Sequence, residues 1–363
     1  MANTRVLITG GAGFIGSHLA DELLARGYRV RALDSLVPAV HGEDRARPDH
    51  LAPEVELVQG DIRDRVAVDR ALKAVDAVFH LAARNVGSSV DALGTAVLLG
   101  ALERHPVEKL VFGSSMTVYG EGLYRTPDAK VVEVQERTLQ QLQDGRWEPT
   151  GPQGEPLEVL PTPETKTPTP RSAHAVATYH QERLFLANGA ASAIPTVALR
   201  FFNVYGPRMA LGDPHAGVLA LFAARLLSGA PPRVLEDGLQ QRDFVNVRDV
   251  VRACRMALES SAAAGGVFNV GSGSSMTIRT VAAQIADALG RRELRPEVTG
   301  DYRAGDVRHC FADTTLAAKV LGYEAHLSFT EGLLELREWL ARQGAERRTA
   351  EICARIEARE LGG

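Results

Sequence analysis

Residues 4–34, TRVLITGGAGFIGSHLADELLARGYRVRALD, constrain the fold of this chain more than any other stretch. An apolar run (Val6, Leu7, Ile8) leads into Gly10-Gly11-Ala12-Gly13-Phe14-Ile15-Gly16, with glycines at the first, fourth and seventh places of a turn that opens a helix. Strand, turn, helix and second strand in this order make a βαβ unit, and the turn suits a pyrophosphate. Gly10 allows the tight bend, Gly13 lets the backbone approach phosphates with no Cβ in the way, and Gly16 lets the helix pack close to the strand. Phe14 and Ile15 carry the helix N-terminus, whose backbone N–H groups face the anion. The second strand, 28–33, ends at Asp34, whose carboxylate can accept hydrogen bonds from both hydroxyls of an adenosine ribose. It repels a 2′-phosphate, and no arginine follows directly to compensate, so the pattern favours NAD over NADP. Three glycines alone also occur in turns that bind nothing; the flanking strand, helix and acid are what point to a cofactor.

Bulk properties narrow the rest. At 363 residues the chain exceeds the usual size of a single core, so a large α/β domain with a smaller appended lobe is expected. Lys plus Arg number 41 and Asp plus Glu 45, a net charge of −4 without long runs of one sign. That leaves no footprint for nucleic acid or an anionic membrane and points to a small ligand. Cys254, Cys310 and Cys353 lie far apart with no CxxC, so neither a disulfide framework nor a metal site is expected. The sequence enters a strand almost at once, and no apolar run approaches the roughly 18 residues of a membrane span. The expectation is a soluble, cytoplasmic protein.

Further strand-like runs at 55–58, 75–81, 110–114 and 196–201 alternate with helical patterns at 65–74, 90–103 and 173–188. Such alternation predicts a doubly wound, Rossmann-type parallel sheet covered on both faces. Between Gly120 and Arg171 the pattern breaks into a stretch rich in Pro, Gln and Glu, including LEVLPTPETKTPTPR. Its prolines suit an extended path rather than a core element, either solvated or acting as a lid. Helices near 217–228 and 277–289 are assigned mainly to a substrate lobe, and residues from about 342 read as a charged helix.

Several segments beyond the first turn resemble the extended short-chain dehydrogenase/reductase family, in particular its nucleotide-sugar epimerases. They are GDIRD (60–64), FHLAA (79–83), SSMTVYGEG (114–122), LRFFNVYGPR (199–208), LEDGLQQRDFVNVRDV (235–250) and YRAGDVRHCFADTT (302–315). The wording of FFNVYGPR and LEDGLQQRDF is most similar to that of the dTDP-L-rhamnose 4-epimerase-like members. The resemblance implies an NAD-binding domain over 1–205, interrupted by an insertion at 121–170. Residues 206–341 would form mainly the substrate lobe, with 236–265 returning to the first domain, and 342–363 a C-terminal helix. It further implies that Asp34 and Ser35 meet the adenosine ribose, that Asp61 and Ile62 flank the adenine, and that Leu81, Ala82 and Ala83 lie along the cofactor. For His80 in the same segment, packing inside a buried strand is an equal alternative. By the same resemblance Asn203, Arg242 and Arg303 meet a nucleoside diphosphate sugar and Asp306 its ribose. A planar guanidinium suits phosphates because it donates to two oxygens in parallel and keeps its charge. Two helices, 90–103 and 173–188, would pair across a two-fold to make a homodimer.

Ser115 falls at the family's catalytic Ser/Thr, which hydrogen-bonds the reacting sugar oxygen. Dehydratases of the family carry acid and base carboxylates at the next two places; here they are Met116 and Thr117, which disfavours dehydration. The family's central tyrosine and its lysine four residues later are both absent. Counting back from Glu182, the tyrosine place is His174 and the lysine place Thr178. Tyr179 and Arg183 imitate the spacing, but five residues along a helix is about 500°, which turns Tyr179 roughly 140° from the site face. An imidazole could replace the phenolate: a free tyrosine titrates near ~10 and needs the lysine, whereas histidine starts near ~6.5. No lysine is then required, and the Thr178 hydroxyl could still bond the nicotinamide ribose. The alternatives are a binding protein that does no chemistry, or an altered redox reaction on an unusual nucleotide sugar. The segment from Arg84 to Ala92, which lines the sugar pocket in the family, is short here.

Overall fold

The computed structural model describes residues 4–42, 44–82, 89–211 and 217–342. The chain opens with β1 (Arg5–Thr9), α1 (Phe14–Ala25), β2 (Arg29–Asp34), the short α2 (Pro38–His41) and β3 (Glu56–Gln59). It continues through α3 (Arg65–Leu72), β4 (Ala77–His80), α4 (Ser89–Arg104) and β5 (Lys109–Ser115) to a 3-10 turn at Met116–Tyr119. After an insertion holding β6 (Leu123–Arg125), β7 (Val131–Val132), α5 (Leu139–Gln143) and β8 (Glu158–Leu160), the long α6 (Ala173–Ser192) leads into β9 (Thr196–Phe201). The remainder runs β10 (Asn203–Tyr205), α7 (Val218–Leu227), β11 (Arg233–Val234), β12 (Gln241–Arg242), β13 (Phe244–Asn246), α8 (Val247–Glu259) and β14 (Val267–Val270). Then follow β15 (Met276–Thr277), α9 (Ile278–Ala288), β16 (Glu297–Val298), β17 (His309–Cys310), α10 (Thr315–Leu321) and α11 (Phe329–Arg342).

Among the described residues, seven strands form one sheet in the order β14-β9-β5-β4-β1-β2-β3, and every pairing is parallel. Its central strands are continuously apolar because helices cover both faces: Val6, Leu7 and Ile8 are all sealed from solvent. From β1 the chain moves outward to β2 and β3, then returns across β1 to begin β4. That reversal leaves a crevice at the carboxyl ends of β1 and β4, where a doubly wound sheet binds its ligand. Side-chain caps start the helices where the sequence supplies them: Asp64 for α3, Ser172 for α6, Asn246 for α8 and Thr277 for α9. The smaller lobe packs α7, α9 and α11 around Phe222, Leu226, Val281, Ile285 and Leu336.

Two expectations from sequence need correction. Within the 236–265 stretch expected to return to the first domain, α8 packs on α1 and shares the core of the main sheet, but β12 pairs with β15 and β17, and β14, beyond 265, adds to the sheet edge beside β9. The 121–170 insertion is not an extended solvated path. It folds as an antiparallel sheet β7-β6-β8 with α5, whose Thr138 and Gln141 form a reciprocal capping box. Buried charges tie it down. Arg137 pairs with Glu236 at 2.8 Å, and Arg308, fully sequestered, binds Glu236, Asp237 and Glu148. Strands of two or three residues carry no readable periodicity, and these charges find partners far along the chain, so neither feature is visible locally. The expected helix from 342 onward lies outside the described residues after Arg342.

His80 closes β4 as packing, not as a ligand. Its Nδ1 is 2.7 Å from Thr9 Oγ1, and its ring lies against Phe112 and Phe185. Burial pushes its pKa down to about 4, and burial does the same to His18. The unfolded chain takes up these protons below about 6.5 while the folded chain resists until about 4, so stability is lost as pH falls through that window. Asp243, pushed up to about 6 by burial, acts in the opposite sense between about 4 and 6 but is a single group against two. Denaturant titrations should therefore show wild-type stability falling from pH 6.5 to 5. His80→Leu should start less stable at pH 7 yet lose on the order of 1 kcal/mol less across that interval; an equal loss would show that His80 does not titrate as described.

Candidate active site

The crevice at the sheet's switch point opens into a cleft of about 1560 Å³ between the main sheet and the smaller lobe. Single small-molecule pockets are roughly 300–1,000 Å³, so this one has room for two ligands side by side.

The wall formed by β1, α1 and β2 follows from glycine geometry. Gly10 adopts φ +71°, and a Cβ on Gly16 would stand 2.2 Å from the Gly10 carbonyl oxygen, so only glycine lets α1 sit this close to β1. A Cβ on Gly13 would meet protein only at that same oxygen, 3.3 Å away, and would otherwise project into open space. Gly13 is the N-cap of α1 and offers no side-chain cap, so the first-turn N–H groups stay available to an anion. At the end of β2, Asp34 is held by two backbone donors: Ala12 N to Oδ2 at 3.0 Å and Leu36 N to Oδ1 at 2.9 Å. Each oxygen keeps a lone pair for a ribose hydroxyl. These features fit a dinucleotide.

Gly10, Gly13, Phe14, Ile15, Gly16, Asp34, Ser35, Asp61, Ile62, Leu81 and Ala82 all line this part of the cleft. Ala83 lies outside the described residues, as does most of the short segment from Arg84. Asp61 is additionally gripped by Arg63 through two hydrogen bonds of 2.9 and 2.7 Å. Sequence reasoning missed His41 on α2, which also lines the cleft with Nε2 3.7 Å from Asp34 Oδ1. Burial lowers its pKa despite the nearby carboxylate. Nothing before residue 41 marks that short helix except Pro38 at its first position.

Ser115, His174 and Thr178 line the same cleft. Ser115 ends β5, and its hydroxyl oxygen accepts from Thr117 N at 3.2 Å and Thr117 Oγ1 at 3.0 Å. With both lone pairs engaged, its own proton is the group it can offer. Thr178 donates its hydroxyl proton to the His174 carbonyl oxygen at 2.9 Å, so toward a ligand it can act only as an acceptor. Tyr179 does not line the cleft and packs instead against the buried cluster that contains Met116, Tyr119 and Phe202. Met116 is buried in that cluster and Thr117 reaches the cleft, so neither dehydratase carboxylate position holds an acid.

Asn203, Arg242, Arg303 and Asp306 line the opposite, lobe-side wall. Asn203 Nδ2 donates to Asp243 O at 2.9 Å. Arg242 is fixed by the carbonyls of Arg308 at 2.8 Å and Val307, with Asp306 3.8 Å away. Arg225 and Arg233 line the wall as well, and sequence reasoning did not single them out. Among the described residues, no group of three or more His, Cys, Asp or Glu side chains is arranged to hold a metal ion.

Fold, glycine turn and cleft together define a dinucleotide-binding protein of the doubly wound class, with room beside the dinucleotide for a second ligand. The chain belongs to the NAD dependent epimerase/dehydratase family, whose model matches residues 6–141 and 148–271. It is 34% identical over 354 residues to a dTDP-L-rhamnose 4-epimerase of Burkholderia thailandensis, covering 93% of this chain and 95% of that one. Among solved structures it is similar to a UDP-glucose 4-epimerase of Thermotoga maritima with UDP-glucose, with TM-score 0.75 and 30% identity over 94% of this chain and 99% of that one. It is also similar to a Thermus thermophilus UDP-glucose 4-epimerase in complex with NAD, with TM-score 0.72 and 31% identity over 93% and 99%.

The Asp34 carboxylate should set cofactor choice. Asp34→Asn removes the charge that opposes a 2′-phosphate, and titration calorimetry should show the NAD-to-NADP affinity ratio falling by about tenfold, the equivalent of some 1.4 kcal/mol. An unchanged ratio would assign the preference to another residue.

Proposed function

We propose that this chain is an NAD-dependent nucleotide-sugar 4-epimerase in which His174 replaces the family's tyrosine as the acid/base. The observation that carries this reading is the convergence of Ser115, His174 and Thr178 on the cleft that holds the glycine turn and Asp34, while Tyr179 packs away from it. When bound, NAD supplies a hydride acceptor that gives the same hydride back, so no external oxidant is required. Ser115 donates its proton to the sugar oxygen and orients it. His174 accepts the hydroxyl proton as the carbinol carbon is oxidised and returns it to the carbonyl oxygen when that carbon is reduced from its other face. Thr178, an acceptor only, takes a hydrogen bond from the nicotinamide ribose. Without a lysine beside it, the imidazole escapes the repulsion that an ammonium would impose on its protonated form.

The arginines of the lobe-side wall support a nucleoside diphosphate as the anchoring portion of the substrate, in keeping with what the named relatives act on. The competing reading, a silent NAD and nucleotide-sugar binding protein, draws on the loss of the Tyr/Lys pair and is separated from ours by turnover. The α4 and α6 helices pack together and expose Leu93, Val176 and Leu184, which supports a homodimer through this face. Among the described residues no helix is long and apolar enough to cross a membrane.

Catalysis and assembly are each open to test. His174→Ala should lower epimerase turnover by about 100-fold or more with NAD and nucleotide-sugar affinity nearly unchanged, and the wild-type rate should fall as acid protonates the imidazole. His174→Tyr with Thr178→Lys should at best restore that activity; if it creates activity that wild type lacks, the chain is the silent binding protein. For assembly, sedimentation should give a dimer for wild type at micromolar protein and a monomer for Leu93→Arg with Leu184→Arg. A wild-type monomer would remove the α4 and α6 interface.

A further inference from the structure

The segment 299–308 carries Arg303 and Asp306 to the cleft yet has no helix or strand of its own. Its conformation comes from outside. The Arg137 side chain, 3% exposed, donates to Asp306 O at 2.9 Å, to Glu236 Oε1 at 2.8 Å and to Trp147 O at 3.1 Å. One insertion guanidinium thus joins the 299–308 segment, the loop after β11 and the insertion's own chain. A second tie lies at the rim, where the Trp147 ring packs 6.3 Å from that of Tyr302, the residue before Arg303. Glu236 answers on the other side, accepting Arg308 Nη1 at 2.8 Å while its backbone N donates to Asp301 O at 2.7 Å.

We propose that the 121–170 insertion is a fixed part of the nucleotide-diphosphate subsite, with Arg137 the positioning residue that sets Arg303 and Asp306 at the cleft. This rests on the nucleotide-sugar reading and extends it to a segment that does not itself line the cleft. A guanidinium with three separate acceptors holds three chain segments at fixed distances, which a loop solvated on its own could not do. The ligand class is a nucleoside diphosphate. The Arg137 and Trp147 contacts described above lie on the lobe-side wall, so the cofactor wall should be indifferent to them.

The test is titration calorimetry with UDP and dTDP, and separately with NAD, on wild type, Arg137→Met, Arg303→Ala and the double variant. Arg137→Met should weaken nucleoside diphosphate binding by about tenfold and leave NAD affinity unchanged. If Arg137 works by placing Arg303, the double variant should bind about as weakly as Arg303→Ala alone, a non-additivity that a general loss of structure would not produce. Trp147→Ala, at a half-exposed position, keeps the question open to measurement should Arg137→Met fail to fold, and should also weaken UDP and dTDP but not NAD. Unchanged nucleotide affinity in these variants, equal losses for NAD, or simple additivity would each overturn the positioning role. If UDP and dTDP fail to bind wild type, the nucleotide-sugar reading falls, and this inference with it.

Discussion

The ion pair between Glu182 and Arg200 is the joint on which the catalytic end of the molecule depends. Arg200 donates to Glu182 through Nε at 3.0 Å and Nη2 at 2.6 Å, and both side chains are almost closed off from water. Glu182 also accepts Ser114 Oγ at 2.6 Å, and Arg200 lies over the Tyr119 ring, whose hydroxyl donates to Asn269. One buried cluster therefore fixes α6, the ends of β5 and β9, the turn after Ser115 and the edge strand β14. Leaving either charge in place without the other would cost roughly 3–5 kcal/mol. Two turns before Glu182 on α6 stands His174, so the pair that locks the helix to the sheet also fixes which side chains face the cleft.

Within that frame, the replacement of a tyrosine and lysine by a histidine and threonine is coherent as chemistry. A phenol needs a neighbouring cation to act near neutral pH, whereas an imidazole does not. Thr178 closes its hydroxyl on the helix backbone, contributing an acceptor and no charge. Ser115, with both lone pairs taken by Thr117, can only donate. On the proposed reading, each group is left with one role toward a sugar and cofactor.

The two walls of the cleft are built differently. The cofactor wall is local: Gly10, Gly16 and Asp34 lie within one βαβ unit, and their spacing along the chain nearly dictates their spacing in space. The lobe-side wall is assembled from distant pieces, with Arg242 held by carbonyls 65 and 66 residues onward and Asp306 by an arginine 169 residues earlier.

That difference separates what was legible in the sequence from what was not. The glycine turn, Asp34, the alternating strands and helices and the place of His174 could be read directly, because local backbone geometry and helical periodicity are short-range constraints written in consecutive residues. His80 could not be decided: only the Phe112 and Phe185 rings around it show a packing residue rather than a cofactor contact. The insertion was misread because prolines and short polar strands look solvated until Arg137 and Lys166 are seen to bury their charges against Glu236 and the Tyr119 carbonyl. The sequence by itself determined the βαβ core and the acid at the end of its second strand. Tertiary structure alone decided that β14 joins the sheet edge beside β9 and that Arg137 of the insertion ties down the segment carrying Arg303 and Asp306. A buried charge or an edge strand is specified by its partner, and these partners lie too far along the chain for any local pattern to reveal them.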